Sequence, residues 1–153
     1  ASTYVGQNLG ARKVRRSHNA TWIAAGCAFV TLGIASAFAQ IYAEPLVAIF
    51  APGEPRVIEI GVEYLTIVSL SYAFAGVGIV FALALNGAGS TKAPAFIDGL
   101  VYALLVMPLS LCLVLGFDLG RQSVWYAIMC GNIVMAMAYA YWFQRGRWRR
   151  IAL

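Results

Sequence analysis

The chain has 153 residues, of which 61% are hydrophobic and only 11% are charged, with a mean hydropathy of +0.77. A soluble domain carries about 25% charged and about 45–50% apolar residues, so this composition excludes an ordinary soluble domain and predicts a membrane protein. The net charge is +5. Because the basic residues lie between apolar stretches, they favour membrane lipid as a partner over nucleic acid.

Residues 1–18 form the first unit of the chain. The stretch ASTYVGQNLG is typical of the end of a helix, and Gly10 is suited to ending it. A basic loop is predicted to follow, and its charged residues are Arg12, Lys13, Arg15 and Arg16. The chain begins with Ala1 rather than Met and shows no signal-peptide pattern, so we expect it to be a piece of a longer polypeptide.

Four charge-free stretches follow, and each is long enough for a membrane-crossing helix, which takes about 17–25 apolar residues. The alternating pattern of β-barrel strands is absent. We therefore predict an all-α membrane protein in which residues 19–144 form four transmembrane helices. Allowing for charges at their ends, the spans lie at about 20–42, 57–86, 93–115 and 122–143.

Residues 145–153 predict a basic tail that lies on anionic lipid, with Trp148 at the interface. Together with the other connections, this tail makes the charge alternate along the chain. Nine basic residues flank one end of the spans, and they are Arg12, Lys13, Arg15, Arg16, Lys92, Arg145, Arg147, Arg149 and Arg150. The other connections carry two basic residues and four acids, which are Arg56, Arg121, Glu44, Glu54, Glu59 and Asp118.

The positive-inside rule then places both ends of the chain in the cytoplasm. We expect a multi-pass protein of a bacterial inner (plasma) membrane.

Several polar or helix-breaking residues lie inside the predicted spans. Pro108 removes a backbone hydrogen bond, so we predict a kink near Leu104 that shapes packing or, alternatively, assists bending during transport. Gln40 and Asn132 are predicted to be hydrogen-bond partners between helices rather than ligand contacts. Glu63, near the end of the second span, is expected to be an interfacial acid.

Asp98 lies roughly 10 Å into the third span at 1.5 Å per residue. A carboxylate inside the membrane is by default a hypothesis for a functional site. The alternative interpretation is a carboxylate at headgroup depth, stabilised by the dipole at the start of its helix.

The second span carries a face that could line a substrate cavity. Ser69, Tyr72 and Gly76 follow the i, i+3, i+7 spacing of one helix face, and Phe74 and Phe81 form a further pair seven residues apart. Small, hydroxyl and aromatic side chains suit a cavity for a flat apolar molecule, although ordinary helix packing would use the same residues. The sequence shows no spacing typical of an enzyme or of a metal site, so we predict neither.

Two loop motifs carry a resemblance to a known family. VGQNLGARKVRRS and ALNGAGSTKAPAF have two predicted spans between them and two after the second motif. At that spacing they resemble loops of the multidrug and toxic compound extrusion (MATE) family, in the MOP exporter superfamily. The motif residues are Gln7, Asn8, Gly10, Asn86, Gly87, Gly89 and Pro94.

The resemblance implies a twelve-helix transporter made of two six-helix lobes. This chain resembles the last four helices of the C-terminal lobe, preceded by the tip of a helix, so the N-terminal lobe of the same polypeptide would be its partner. The implied function is export of organic cations or amphipathic compounds by alternating access. The implied driving force is antiport of sodium or protons, with no other cofactor.

One departure from the family concerns the acid of the second span. Sodium-coupled relatives carry an acid upstream of the Asn-Gly pair, at about the position where this chain has Ala75. No acid occurs between Tyr64 and Asp98. The essential carboxylate is therefore either Asp98 or a residue of the N-terminal lobe.

Two alternatives remain open at this stage. A lipid-linked precursor flippase or polysaccharide exporter of the same superfamily would need cationic residues in its cavity, and the four spans contain none. A small structural four-helix membrane subunit would be a complete protein of this length.

Overall fold

The chain folds into helices joined by short connections. The computed structural model describes residues 2–117, 120–146 and 148. Its helices are α1 (Ser2–Gly10), α2 (Val14–Ile41), α3 (Ala43–Phe50), α4 (Pro55–Gly87), α5 (Lys92–Gly116) and α6 (Gln122–Gln144). Within the described residues, α2, α4, α5 and α6 are long and apolar enough to cross a membrane. This finding confirms the predicted all-α class with four candidate spans.

Helix α4 lies in the middle of the bundle. It packs along α2 on one side and along α6 on the other, while α5 packs mainly on α6. The largest buried side chains gather near the end of α4 and the end of α6, where Phe81, Leu85, Tyr139 and Phe143 meet. Between membrane helices such contacts stabilise through close packing, since lipid tails are as apolar as the side chains themselves.

The structure places the start of α2 earlier than the sequence predicts. Helices α4, α5 and α6 begin and end within two residues of the predicted bounds, but α2 begins at Val14 rather than near residue 20. The carbonyl of Lys13 accepts hydrogen bonds from the amides of Arg16 and Ser17, so helical bonding is established there. Arg15 and Arg16 therefore lie in the first turn of α2.

Helix α3 was not predicted, because its eight residues lie in the connection between the first two spans. Glu44 in its first turn is favoured by the helix dipole, and Pro45 is tolerated there because the first amides of a helix lack partners. The helix packs against α4. Asp118, predicted as an acid of the later connection, lies outside the described residues.

A 3₁₀ turn at Ser69–Ser71 interrupts α4. Side chains of both neighbouring helices bond to this turn. The Gln40 amide of α2 donates to the Ser69 hydroxyl at 2.8 Å, and the Asn132 amide of α6 donates to the Ser71 hydroxyl at 2.9 Å. These bonds confirm that Gln40 and Asn132 are hydrogen-bond partners between helices.

Helix α5 departs from regular α-helical bonding just before its proline. Tyr102–Val106 form a π-helical turn, in which the Met107 amide donates to the Tyr102 carbonyl. Pro108 has no amide hydrogen to give to the Leu104 carbonyl, so the wider turn lies where the regular bond is missing. The sequence predicted a kink near Leu104; the structure has a π-helical turn there, and the kink itself stays a prediction.

Trp148 corrects the prediction for the tail. It is 1% exposed rather than spread on lipid, and its indole nitrogen donates to the Phe143 carbonyl at 2.8 Å. Its ring stacks on that of Phe143 with centroids 4.6 Å apart. Gly146 has a φ of 70° and turns the chain back after α6, which brings Trp148 onto the bundle. The predicted basic residues Arg147, Arg149 and Arg150 lie outside the described residues.

Candidate functional site

A cavity of about 270 Å³ lies between α4, α5 and α6. Helix α4 contributes small or apolar side chains, α5 contributes an acid and a tyrosine, and α6 contributes an amide, a methionine and a second tyrosine. The lining residues are Ala75, Gly78, Ile79, Ala82, Asp98, Tyr102, Asn132, Met135 and Tyr139. The cavity is thus mostly apolar with a few converging polar groups, which is the usual make-up of a small-molecule site.

Asp98 is the charged side chain among these described lining residues. It is half-buried in the second turn of α5. The hydroxyl of Tyr139 donates to its Oδ1 at 2.6 Å, and the same hydroxyl lies 3.2 Å from the carbonyl oxygen of Pro94. A carboxylate in apolar surroundings is unfavourable unless it is hydrogen-bonded, so Tyr139 supplies the contact that Asp98 needs there.

The backbones of α4 and α6 lie close together beside the cavity. A Cβ atom on Gly78 would lie 3.6 Å from the Cα of Ala136, so α4 and α6 are in direct contact at this level. The small Ala75 and Ala82 side chains of α4 leave the space into which Asp98 and Tyr139 project. A larger residue at position 75 would therefore enter the cavity.

The face of α4 predicted to line a cavity lies elsewhere in the structure. Ser69 is fully buried, and its carbonyl accepts a hydrogen bond from the Ser36 hydroxyl of α2 at 2.6 Å. A Cβ atom on Gly76 would meet the side chain of Leu32, also of α2. Both residues are therefore used in packing against α2.

The other two residues predicted to line that cavity, Tyr72 and Phe74, are less enclosed. Tyr72 is half-buried at the start of the second half of α4, and Phe74 meets Phe29 of α2 edge-on with centroids 5.6 Å apart. The described lining of the Asp98 cavity includes neither of them. A role for this face in holding substrate stays a prediction.

The two loop motifs come together, although they are far apart in the chain. A Cβ atom on Gly6 would lie 3.0 Å from the Gly87 carbonyl oxygen, and one on Gly87 would collide with the backbone of Ser2. Helix α1 thus crosses the end of α4 at the Asn86-Gly87 pair. Gly89 has a φ of 79°, which favours glycine in the turn that leads to α5.

The remaining motif residues lie near the C-terminal end of α1 and in the first turn of α5. The Asn8 side chain donates to the Tyr4 carbonyl at 2.8 Å, and the Asn8 carbonyl accepts the Lys13 amide at 2.7 Å. Gln7 and Gly10 are exposed. Pro94 is buried in the first turn of α5, where its carbonyl lies beside Tyr139.

At the opposite end of the bundle, an ion-pair cluster joins α4 to the start of α6. Arg121 donates through Nε to Glu63 at 2.8 Å and through Nη2 to Glu59 at 2.7 Å. The hydrogen bonds to Glu63, followed by those to Glu59, hold the pKa of the Arg121 guanidinium above its usual range. Glu63, predicted as an interfacial acid, is thus an ion-pair partner of Arg121.

Sequence reasoning missed Tyr139 as a partner of Asp98. A signal was present in the fourth span, since Asn132, Met135 and Tyr139 recur at i, i+3 and i+7 and so share one helix face. An unpaired carboxylate in the third span needs a donor, and this polar face was available to provide it.

These observations define an integral, multi-pass membrane protein with a carboxylate-bearing cavity between its helices. The MatE family model matches residues 1–112, and the chain belongs to this family of transporters, which are not enzymes. The resemblance seen in the two motifs is thereby confirmed.

A curated relative supports the same family. The chain is 27% identical over 132 residues to a protein of Thermotoga maritima named "Probable multidrug resistance protein NorM". The alignment covers 86% of this chain and 28% of that relative, so the chain spans less than a third of the relative's length. No solved structure matches the chain.

Proposed function

We propose that the chain is the C-terminal part of a secondary active multidrug efflux transporter. It would form one wall of a central cavity and work with an N-terminal lobe to export organic cations or amphipathic compounds. Inward movement of sodium or protons would drive the export, in a bacterial inner membrane with both ends of this chain in the cytoplasm. Family membership supports the transport class, and the name of the Thermotoga relative supports the multidrug substrate.

The observation that carries the proposal is that Asp98 and Ala75 line one cavity. The resemblance places the acid of sodium-coupled relatives at about the position of Ala75. In this chain the carboxylate comes from the neighbouring helix α5 and enters the same space. Asp98 would therefore serve as the coupling carboxylate, moved from α4 to α5.

The chemistry follows from the surroundings of that carboxylate. A charge in a medium of low dielectric constant attracts a counter-ion far more strongly than it would in water. An ionised Asp98 would bind a coupling cation or a proton from one side of the membrane, and its neutralisation would change which state of the transporter is favoured. Release on the other side would restore the charge and allow the next cycle.

A carboxylate-relocation experiment in the full-length transporter tests this role. D98N is expected to abolish ethidium efflux under both a sodium and a proton gradient, imposed separately in proteoliposomes. The double variant A75D/D98N is expected to recover part of the efflux, because it returns a carboxylate to the same cavity from α4. D98E serves as the matched control that keeps the charge. Unchanged efflux in D98N would rule out Asp98 as the coupling site.

The proposed topology has its own test. After replacement of Cys27, Cys112 and Cys130 by alanine, a single cysteine is placed at Gly53 or at Thr91. A membrane-impermeant maleimide added to intact cells is expected to label the Gly53 position and to spare the Thr91 position. The reverse pattern would invert the orientation.

A further inference from the structure

We propose that Tyr139 is a positioning residue that keeps Asp98 hydrogen-bonded in both of its protonation states, by moving its hydroxyl hydrogen between Asp98 and the Pro94 carbonyl. This inference rests on the proposed function, in which Asp98 exchanges a coupling ion. It deepens that function by making the ion a proton.

The geometry gives one hydroxyl two acceptors. The Tyr139 oxygen lies 2.6 Å from Asp98 Oδ1 and 3.2 Å from the Pro94 carbonyl oxygen. A tyrosine hydroxyl has a single hydrogen, so it donates to only one of the two at a time. When Asp98 is ionised, the hydrogen lies on the short contact, since hydrogen bonds to a charged acceptor are shorter and about twice as strong as neutral ones.

Protonation of Asp98 reverses the direction of that bond. The added proton binds a carboxylate oxygen and makes the carboxyl group a donor, and the Tyr139 oxygen accepts from it. The hydrogen of Tyr139 then turns to the Pro94 carbonyl. One proton is gained by Asp98, none is lost by Tyr139, and each group keeps a partner. The neutral carboxyl group is thus held in place without a metal ion.

Among the described residues around Asp98, Tyr139 is the one whose side chain donates a hydrogen bond to it. Helix α4 presents Ala75, Gly78, Ile79 and Ala82 to the cavity. None of these residues has a charged side chain or a side-chain hydrogen-bond donor. Helix α5 adds Tyr102, and α6 adds Asn132 and Met135. Asn132 is already bonded to the Ser71 hydroxyl. Lys92, at the start of α5, is exposed and does not line the cavity.

The change in hydrogen bonding alters a contact at the start of α5. Pro94 belongs to the loop motif that joins α4 to α5, and its carbonyl lies in the first turn of α5. In the ionised state Tyr139 of α6 is bonded to Asp98, and in the neutral state it is bonded to both Asp98 and Pro94. Proton uptake therefore adds a contact between α6 and the first turn of α5.

Infrared difference spectroscopy on the purified full-length transporter tests the switch. Tyrosine is labelled with ¹³C in the ring, and the sample is acidified stepwise while the carboxyl and tyrosine bands are recorded. The expected result is a labelled tyrosine C–O band that shifts together with an unlabelled carboxyl band. Both signals should be lost in D98N, and the tyrosine signal should be lost in Y139F. Y102F, which alters the other tyrosine of the cavity, is the matched control and should keep both.

Transport in proteoliposomes gives the second measurement. Y139F is expected to lower efflux driven by a proton gradient about tenfold or more, because a hydrogen bond to a charged group is lost. Y126F, at an exposed position of the same helix outside the described cavity lining, should leave efflux unchanged. A tyrosine band that stays constant while the carboxyl band of Asp98 titrates, or one that still shifts in D98N, would overturn the inference. Since D98N is compared directly with the unaltered protein, the test does not depend on the folding of Y139F.

The two proposals fail in different ways. If the spectroscopic switch is present but no gradient drives efflux of a cationic dye, the multidrug function is wrong and the switch stands. If efflux depends on Asp98 but Y139F transports normally and no tyrosine band shifts, the switch is wrong and the transport function stands.

Discussion

Gly6 of α1 and Gly87 at the end of α4 are in backbone contact, so closely that a Cβ atom on Gly6 would lie 3.0 Å from the Gly87 carbonyl oxygen. The contact joins the two family motifs into a single structural unit. It also explains why a glycine follows Asn86, since a side chain at position 87 would collide with the backbone of Ser2.

Replacement of this glycine is therefore expected to weaken the protein. G87A should lower the free energy of unfolding by about 1–3 kcal/mol, since α1 must move away from α4 to admit a methyl group. The measurement is the thermal denaturation midpoint of the full-length transporter in detergent. G26A is the matched control, because a Cβ atom at Gly26 would meet nothing within 4 Å. Equal midpoints for the two variants would contradict the close contact.

The second prediction concerns the amide of Gln40. Its nitrogen donates to the Thr66 carbonyl at 2.5 Å as well as to the Ser69 hydroxyl. Q40L should destabilise the protein by about 1 kcal/mol, the size expected for hydrogen bonds between membrane helices. T31V, at an exposed position of the same helix, should change the denaturation midpoint little. If Q40L leaves the denaturation midpoint unchanged, the turn in α4 is stabilised by other contacts.

The third prediction distinguishes the two acids that share Arg121. The side chain of Glu63 is 21% exposed and accepts bonds from both Nε and Nη2, whereas that of Glu59 is 64% exposed and accepts one. E63Q should therefore lower the denaturation midpoint more than E59Q does. The difference should shrink as salt rises, since exposed ion pairs are screened. A larger effect of E59Q than of E63Q at low salt would show that Glu59, and not Glu63, is the stronger partner of Arg121.

The fourth prediction concerns Trp148 at the end of the described chain. W148A should destabilise the protein by about 3 kcal/mol, because it removes a large buried ring from its stack on Phe143. W148F should have a smaller effect, since it keeps a ring and loses the hydrogen bond to the Phe143 carbonyl. Chemical denaturation of both variants gives the comparison. Two unfolding curves that coincide with the unaltered protein would place Trp148 outside the core.

The spans were predictable because hydrophobic length alone determines where an apolar helix can lie in a membrane. The bounds of α4, α5 and α6 follow directly from where charges and glycines interrupt the apolar stretches. The early start of α2 did not follow, since Arg15 and Arg16 suggested a loop. The early start depends on the Lys13 carbonyl, which accepts hydrogen bonds from the amides of Arg16 and Ser17, and composition does not reveal these bonds.

The cavity was harder to predict, because a helix face gives no sign of which neighbour it meets. The spacing of Ser69 and Gly76 correctly places them on one side of α4, but that side packs on α2. Asp98 was identified because a carboxylate in an apolar span is rare. Its partner Tyr139 is far away in the sequence, so the pairing depends on how α5 and α6 are packed together.

The 3₁₀ turn in α4 also rotates the residues that follow it about the helix axis, relative to those before it. A 3₁₀ turn rotates by about 120° per residue and an α-helix by about 100°, so the three residues Ser69–Ser71 add roughly 60° of twist. In a continuous α-helix, Thr66 and Gly76 would lie roughly 80° apart in azimuth, whereas the added twist reduces this to roughly 20°. The turn thereby lets α2 contact Thr66 through Gln40 and Gly76 through Leu32 along one line. It leaves Ala75 and Gly78 on the side of α4 that faces Asp98.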